Sequence, residues 1–294
     1  MVPSPSRRRF LLAVATFPLS AATVLAADGH SARPAERRLA ELEKSFNGRI
    51  GVFALNTANG ATIAHRADER FPVCSTFKVL LTSAILRRSG HDVGLLDRRI
   101  CYSQSDLVTY SPITEKHVET GMTVAELCAA ALRYSDNTAA NQLMKIMGGP
   151  AAVTAFARSI GDHEFRLDRW ETELNTAIPG DLRDTSTPRA MGRDLQRLAL
   201  GNGLKASERK RLQDWMLGNT TGDARIRAGV PKDWRVADKT GTGDYGTAND
   251  VGIVWPPHRA PIVVAIYSTQ HEKDAKARND VIASAARIVV NSVR

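Results

Sequence analysis

A serine and a lysine stand three residues apart in Cys74-Ser75-Thr76-Phe77-Lys78. Side chains three apart share one face of a helix. The apolar run Val79, Leu80, Leu81, Ala84, Ile85 and Leu86 predicts such a helix, with Ser75 in its first turn and Gly90 at its stop. A serine at a helix N-terminus lies beside free backbone N–H groups and the positive end of the macrodipole. A neighbouring amine whose pKa is lowered by burial can take its proton. That chemistry is nucleophilic attack by a hydroxyl. Taken alone, Ser-x-x-Lys is common and more often describes a capping serine beside a surface lysine.

Three further stretches carry reactive groups. Tyr134-Ser135-Asp136-Asn137 falls where one helix ends and the next begins, a place where such residues often only cap. Arg169-Trp170-Glu171-Thr172-Glu173-Leu174-Asn175 lies in a segment without apolar periodicity, roughly 162 to 186. A glutamate in a loop is usually a solvated charge, yet loops of this length usually serve function or are disordered. Lys239-Thr240-Gly241-Thr242-Gly243 lies on a strand, and glycines in a strand mark close approach by another group, a ligand among the possibilities.

The elements that must position these groups are legible in outline. Leu39, Leu42 and Phe46 form one stripe of a helix over 34–46. Segments 50–55 and 61–65, joined through Asn59-Gly60, read as a hairpin. Thr123 and Glu126 form a capping box before an alanine- and leucine-rich helix. Further helices are expected at 138–147, from Pro150 to Gly161, from Pro188 to Gly201 and from Ser207 to Gly218. Strands follow at 235–242, 250–255 and 262–269, then a helix over 274–293. Strands and a helix at both ends with helices between predict an α+β fold: a five-stranded antiparallel sheet flanked by the terminal helices, plus an all-α insertion.

Composition narrows the function classes. The chain has 294 residues, 43% hydrophobic and 24% charged, an ordinary globular balance. The net charge is +9, and leaving out Arg7, Arg8 and Arg9, the only charges in residues 1–27, gives +6 for the rest. The basic residues are interspersed with acids, which points to a solvated surface rather than a nucleic-acid face. Cys74, Cys101 and Cys128 have no paired spacing, and the seven histidines have no metal-ligand spacing, so neither a disulfide framework nor a metal is expected. Residues 1–27 combine a basic start, an apolar stretch and small residues near Ala26, the pattern of a cleaved export signal. Arg7-Arg8-Arg9-Phe10-Leu11 fits a twin-arginine signal as well as a general secretory one.

Ser-x-x-Lys, Ser-Asp-Asn and Lys-Thr-Gly in this order form the set shared by class A β-lactamases and penicillin-binding proteins. With Ser75, Ser135, Glu171 and Lys239 spaced by 60, 36 and 68 residues, the chain closely resembles the class A serine β-lactamases over its whole mature length. Gly218-Asn219-Thr220-Thr221-Gly222 and Gly246-Thr247-Ala248-Asn249-Asp250 look like its extended-spectrum and chromosomal penicillinase branches. The resemblance implies a serine β-lactamase/transpeptidase-like fold, with 28–70 and 219–294 as a sheet subdomain and 71–218 as a helical one that includes the 169–184 loop. It implies hydrolysis of penicillins and cephalosporins, and hence antibiotic resistance, without cofactor or metal, by a periplasmic monomer that binds neither nucleic acid nor membrane.

By the same resemblance, Ser75 is the acylated nucleophile and Lys78 its partner in proton transfer. Ser135 relays a proton to the departing nitrogen, and Glu171 activates the hydrolytic water together with Asn175. Asn137 holds the substrate amide, and Tyr110 forms a wall at the entrance. Lys239, Thr240, Gly241 and Thr242 receive the substrate carboxylate, supported by Arg225. The first base, Lys78 or Glu171 through water, stays open. The alternatives are a penicillin-binding transpeptidase or carboxypeptidase, and a sensor domain that stays acylated; both would lack the Glu171 loop. Two departures concern bridges seen in relatives: Gly243 and Thr82 stand where partners for Cys74 and Cys128 would be, so three free thiols are expected.

Overall fold

The computed structural model describes residue 1 and residues 29–293; the expected export signal lies outside them. Helix α1 (Gly29–Lys44) leads into the hairpin β1 (Gly48–Asn56) and β2 (Thr62–His65). Gly60 has φ +80° in the connecting turn, the left-handed backbone that a hairpin turn ending in glycine requires. Strand β3 (Phe71–Pro72) precedes a tight 3-10 turn, Cys74–Phe77, which runs into α2 (Lys78–Ser89). Next come β4 (Arg99–Ile100), β5 (Met122–Thr123), α3 (Val124–Arg133), α4 (Asn137–Met147) and α5 (Pro150–Ser159). A long loop returns through β6 (Thr185–Ser186) to α6 (Pro188–Leu195), α7 (Ala206–Leu217) and α8 (Ile226–Gly229). The chain ends in β7 (Arg235–Gly243), β8 (Thr247–Trp255), β9 (Ile262–Gln270) and α9 (Asn279–Ser292).

The long strands form the one antiparallel five-stranded sheet that the sequence predicts, and its order is β2-β1-β9-β8-β7. Side chains alternate across its faces. Ile50, Val52, Val264 and Ile266 pack with Leu39 of α1 and Ile282 and Val289 of α9. Phe53, Leu55, Val263, Ala265 and Tyr267 face the helical region, where Phe77, Leu80 and Leu81 continue the same core. Burial on both faces explains why β1, β9 and the second half of β8 read as near-continuous apolar runs. Helix α2 presents no side to solvent before Arg87 for the same reason, since every residue from Lys78 to Leu86 is buried.

Local signals hold where they are chemical. The Thr123 hydroxyl accepts from Glu126 N–H at 3.2 Å, and the Glu126 carboxylate accepts from Thr123 N–H at 2.7 Å. Gly148, at φ +103°, ends α4 in the left-handed conformation glycine allows. Boundaries differ in places. The last helix starts at Asn279 rather than 274, because 274–278 carry charged residues and no core-facing side chain before Ala277. Helix α6 widens to a π-turn over Gln196–Leu200 before Gly201. The two-residue ribbons β3–β6 and β4–β5 are too short to show any periodicity. No helix among the described residues is long and apolar enough to cross a membrane.

Where the long loop leaves α5, two buried carboxyls face each other. Asp162 takes Glu164 N–H and Phe165 N–H on Oδ1 at 2.7 and 3.1 Å. Its neighbour is Asp194 of α6, and each keeps an Oδ2 that no donor reaches. Burial first, and Asp162 second, push the Asp194 carboxyl well above its ordinary range, against the pull of Arg197 and Arg158. The folded state therefore holds this proton more tightly than the unfolded chain. The stabilisation is complete below the ordinary aspartate value of 3.8 and is lost as pH rises through the higher folded value. Asp194→Asn, which supplies a donor without a charge, should raise the melting temperature by a few degrees at pH 8 and by less near pH 4. Thermal unfolding of both proteins across that range checks it; a variant less stable at pH 8, or an unchanged pH profile, contradicts it.

Candidate active site

The nucleophile candidate sits on a strained turn. Cys74, the residue before Ser75, has φ +43°, and Tyr110 and Ser135 in the same cleft have φ +65° and +59°. Non-glycine residues adopt this conformation at a cost and only where the surroundings impose it. Here the surroundings are explicit. Val73 N–H donates to Asp184 C=O at 2.9 Å, and Thr76 Oγ1 donates to Val73 C=O at 2.7 Å. Strand β7, the sheet edge, lies against the turn. A Cβ on Gly241 would come within 2.9 Å of Val73 O, and one on Gly243 within 2.6 Å of Asn175 O and 2.8 Å of Cys74 Sγ. The close approach that these glycines permit is thus to the nucleophile's turn and the long loop. All three cysteines are unbridged.

Lys78 is fully buried and surrounded by acceptors. Its Nζ lies 2.9 Å from Ser75 Oγ, 2.8 Å from Ser135 O, 2.7 Å from Asn137 Oδ1 and 3.0 Å from Glu171 Oε1. Desolvation lowers its pKa, and Glu171 opposes the shift. Ser135 Oγ is placed between two amines, 3.4 Å from Lys78 Nζ and 3.0 Å from Lys239 Nζ. Lys239 is also fully buried; desolvation, then the charge of Lys78, push its pKa well down. Ser135 therefore has a proton path on either side.

Glu171 enters from the long loop. Its Oε1 accepts from Ser75 Oγ at 3.4 Å, and its Oε2 accepts from Asn175 Nδ2 at 2.6 Å. Asn175 Oδ1 is buried with no protein donor. The loop is tied at its base, where Asp184 Oδ2 takes Arg169 Nε at 2.6 Å and Oδ1 takes Asp168 N–H and Arg169 N–H at 2.7 and 3.0 Å. Asn141 of α4 clasps the Glu171 backbone, accepting its N–H and donating to its C=O, both at 3.0 Å. Asn141 was not among the sequence candidates. Its position four residues after Asn137, on the same helix face, was the available signal.

The far wall is strand β7. Ser75, Tyr110, Ser135, Asn137, Asn175, Thr221, Arg225, Thr240, Gly241 and Thr242 line one cleft of about 350 Å³. Tyr110 is exposed at its mouth, and its C=O accepts from Asn137 N–H at 3.0 Å. Arg225 is buried; it donates to Thr242 Oγ1 at 2.7 Å and to Gly241 C=O at 2.6 Å. A further chain supports Thr240. Asp238 takes Arg227 Nε at 2.9 Å and Asn219 Nδ2 at 2.7 Å, Asn219 Oδ1 takes Thr221 Oγ1 at 2.8 Å, and Thr221 and Thr240 share a hydroxyl contact of 2.5 Å. Every sequence candidate thus meets at one place: the lining plus Lys78, Glu171 and Lys239 beneath it. A second hollow of about 350 Å³, behind the loop at Ala177, Ile178 and Leu182, contains none of them.

The arrangement resembles known proteins throughout. Residues 34–293 match the family described as the Beta-lactamase enzyme family. The carbapenem-hydrolyzing beta-lactamase KPC of Klebsiella oxytoca is 55% identical over 98% of this chain and 97% of its own length. Beta-lactamase Toho-1 of Escherichia coli is 53% identical over 99% of each chain. The solved β-lactamase structure from Desulfarculus baarsii DSM 2075 has a TM-score of 0.88 at 60% identity, covering 89% of this chain and 98% of that one.

The loop's tie can be tested on its own. In Asp184→Asn an amide faces the same three donors with one acceptor oxygen in place of two, so the loop should loosen. Hydrogen–deuterium exchange should accelerate across 168–184 while the central strands keep their protection. Unchanged exchange in that segment would count against the tie.

Proposed function

The chain belongs to the β-lactamase enzyme family, and on that premise we propose how its residues divide the reaction. It is a class A serine β-lactamase, which hydrolyses the β-lactam ring of penicillins and cephalosporins and thereby confers antibiotic resistance. Ser75 Oγ attacks the lactam carbonyl, the C–N bond breaks and an acyl-enzyme forms. Two groups reach the Ser75 proton: Lys78 Nζ at 2.9 Å, and Glu171 Oε1 at 3.4 Å or through a water. A lowered Lys78 pKa favours the neutral amine that could accept it. The departing nitrogen takes a proton from Ser135 Oγ, which lies between Lys78 and Lys239.

The developing oxyanion is received by Ser75 N–H and Thr242 N–H, each such donor contributing roughly 3 kcal/mol. The substrate carboxylate lies against Lys239, Thr240 and Thr242. Arg225 already donates to Thr242 Oγ1, so that hydroxyl's own proton is free to point at the carboxylate. Asn137 Nδ2 gives one of its two protons to Thr109 C=O at 2.9 Å, and the second N–H holds the substrate amide. Glu171 then deprotonates the water that cleaves the ester, while Asn175 Oδ1 orients it. The observation that carries this reading is Glu171 Oε1 beside both Ser75 Oγ and Lys78 Nζ, with its other oxygen held by Asn175. By the resemblance, transpeptidases and non-hydrolytic sensors lack the loop that carries this base.

We also infer a sheet subdomain of 28–70 and 219–294 and a helical one of 71–218; the core beneath α1 and α9 lies wholly within the first, and the core on the sheet's other face is shared by both. The export pattern in residues 1–27 supports a periplasmic enzyme, and the basic residues interspersed with acids favour a solvated surface over a nucleic-acid face.

Glu171→Ala should still react at Ser75 and then stall. Mass spectrometry after brief mixing with a penicillin should show a long-lived adduct, absent from Ser75→Ala and scarce in the wild type. Equal accumulation and lifetime in the wild type and Glu171→Ala would make the protein a binder; no adduct in Glu171→Ala would make Glu171 the first base as well. With its loop loosened, Asp184→Asn should turn over penicillins more slowly and admit bulkier cephalosporins, and unchanged kinetics for both classes would contradict this.

A further inference from the structure

Asn249 lies on β8, directly opposite Gly241 of β7, and is fully buried. Its side chain reaches past Gly241 to the nucleophile's turn, where Nδ2 donates to Pro72 C=O at 2.8 Å and to Val73 C=O at 3.2 Å. Two carbonyl oxygens face the amide, so only its nitrogen can be turned toward them. Its Oδ1 is left buried with no donor, a desolvation cost that the fold retains. Glycine at 241 gives this route its room: a Cβ there would lie 2.9 Å from Val73 O and 3.2 Å from Asn249 Nδ2. The Asn249 main chain is fixed in turn, since Arg225 Nη1 donates to Asn249 C=O at 2.7 Å and to Gly241 C=O at 2.6 Å. One guanidinium thus binds the two strands, and one amide binds the strands to the turn.

We propose that Asn249 is a positioning residue that sets the spacing of the two oxyanion donors, Ser75 N–H and Thr242 N–H. This rests on the acyl-enzyme reading above. One donor belongs to the turn and the other to β7, one residue beyond Gly241. The Asn249 amide ties the sheet directly to the carbonyls leading into Ser75, while Tyr267 Oη of β9 meets the same turn only through Thr76 Oγ1, at 3.2 Å. Both halves of the reaction pass through a tetrahedral oxyanion at this place. A loosened hole therefore slows acylation and deacylation together, and KM, which depends on their ratio, moves little.

The test compares wild type, Asn249→Ala and Asn249→Asp, using a chromogenic cephalosporin and phenylboronic acid. The boronate forms a tetrahedral adduct on Ser75 and reads the hole without turnover. Asn249→Ala should lose about 10- to 100-fold in acylation rate and kcat per titrated active site, with KM within about threefold and boronate affinity reduced by a similar factor. A merely structural role would lower the active fraction and the melting temperature but leave the rate per active site and boronate affinity intact, and that result overturns the proposal. Asn249→Asp keeps the shape and, when protonated, one donor. Its activity should lie between the other two and fall as pH rises where the wild type is flat; a profile parallel to wild type overturns the proposal even if Asn249→Ala does not fold. If the wild type itself forms no Ser75-dependent adduct, the acyl-enzyme reading fails instead.

Discussion

A lysine with none of its surface open to water must find its acceptors inside the fold. Lys78 meets oxygens from four residues: Ser75 on its own helical face, Ser135 and Asn137 from the α3–α4 junction, and Glu171 from the long loop. An uncompensated charge in such a place would cost several kcal/mol, so the three segments are obliged to converge. Burial pulls the amine toward neutrality, and Glu171 pulls it back toward charge. That balance makes a proton transferable between groups about 3 Å apart.

The rest of the molecule keeps these segments from drifting. Asn141 fixes the Glu171 backbone to α4, and Asp184 closes the base of the loop while its carbonyl holds Val73. On the opposite wall, Arg225 binds β7 to β8, and Asp238, Asn219 and Thr221 support Thr240 from behind. These contacts, those of Arg169 with Asp184, of Arg225 and of Asp238 charge-assisted, surround a cleft whose own backbone is strained at Cys74, Tyr110 and Ser135. Strain of this kind persists only when neighbouring contacts over-determine it. The sheet supplies that rigidity, because its strands are packed on both faces.

Much of this was legible in the sequence because it is local. Ser75 and Lys78 are one helical face, Thr123 and Glu126 are one cap, and Gly148 is one stop. Strand β9 and the second half of β8 announce themselves by apolar runs. What the sequence hid depends on contacts distant along the chain. Asn249 reaches Pro72 across 177 residues, and Asn219 reaches Asp238 across the α8 turn. Asp194 looks like a surface acid on an amphipathic helix until its burial against Asp162 is seen. The glycines of Lys-Thr-Gly-Thr-Gly signalled a close approach correctly, but periodicity could not say that the approaching group is the nucleophile's own turn.

The account depends most on the state of Lys78, which can be read directly. Carbon-13 labelling at lysine Cε, with the Lys78 resonance assigned by its loss in Lys78→Arg, gives its titration by NMR. The structure predicts a midpoint clearly below the ordinary lysine value of 10.5, moving lower still in Glu171→Gln, where the opposing charge is gone. A Lys78 that titrates with the surface lysines, or one indifferent to Glu171→Gln, would contradict the claim that the buried constellation holds this amine ready for proton transfer.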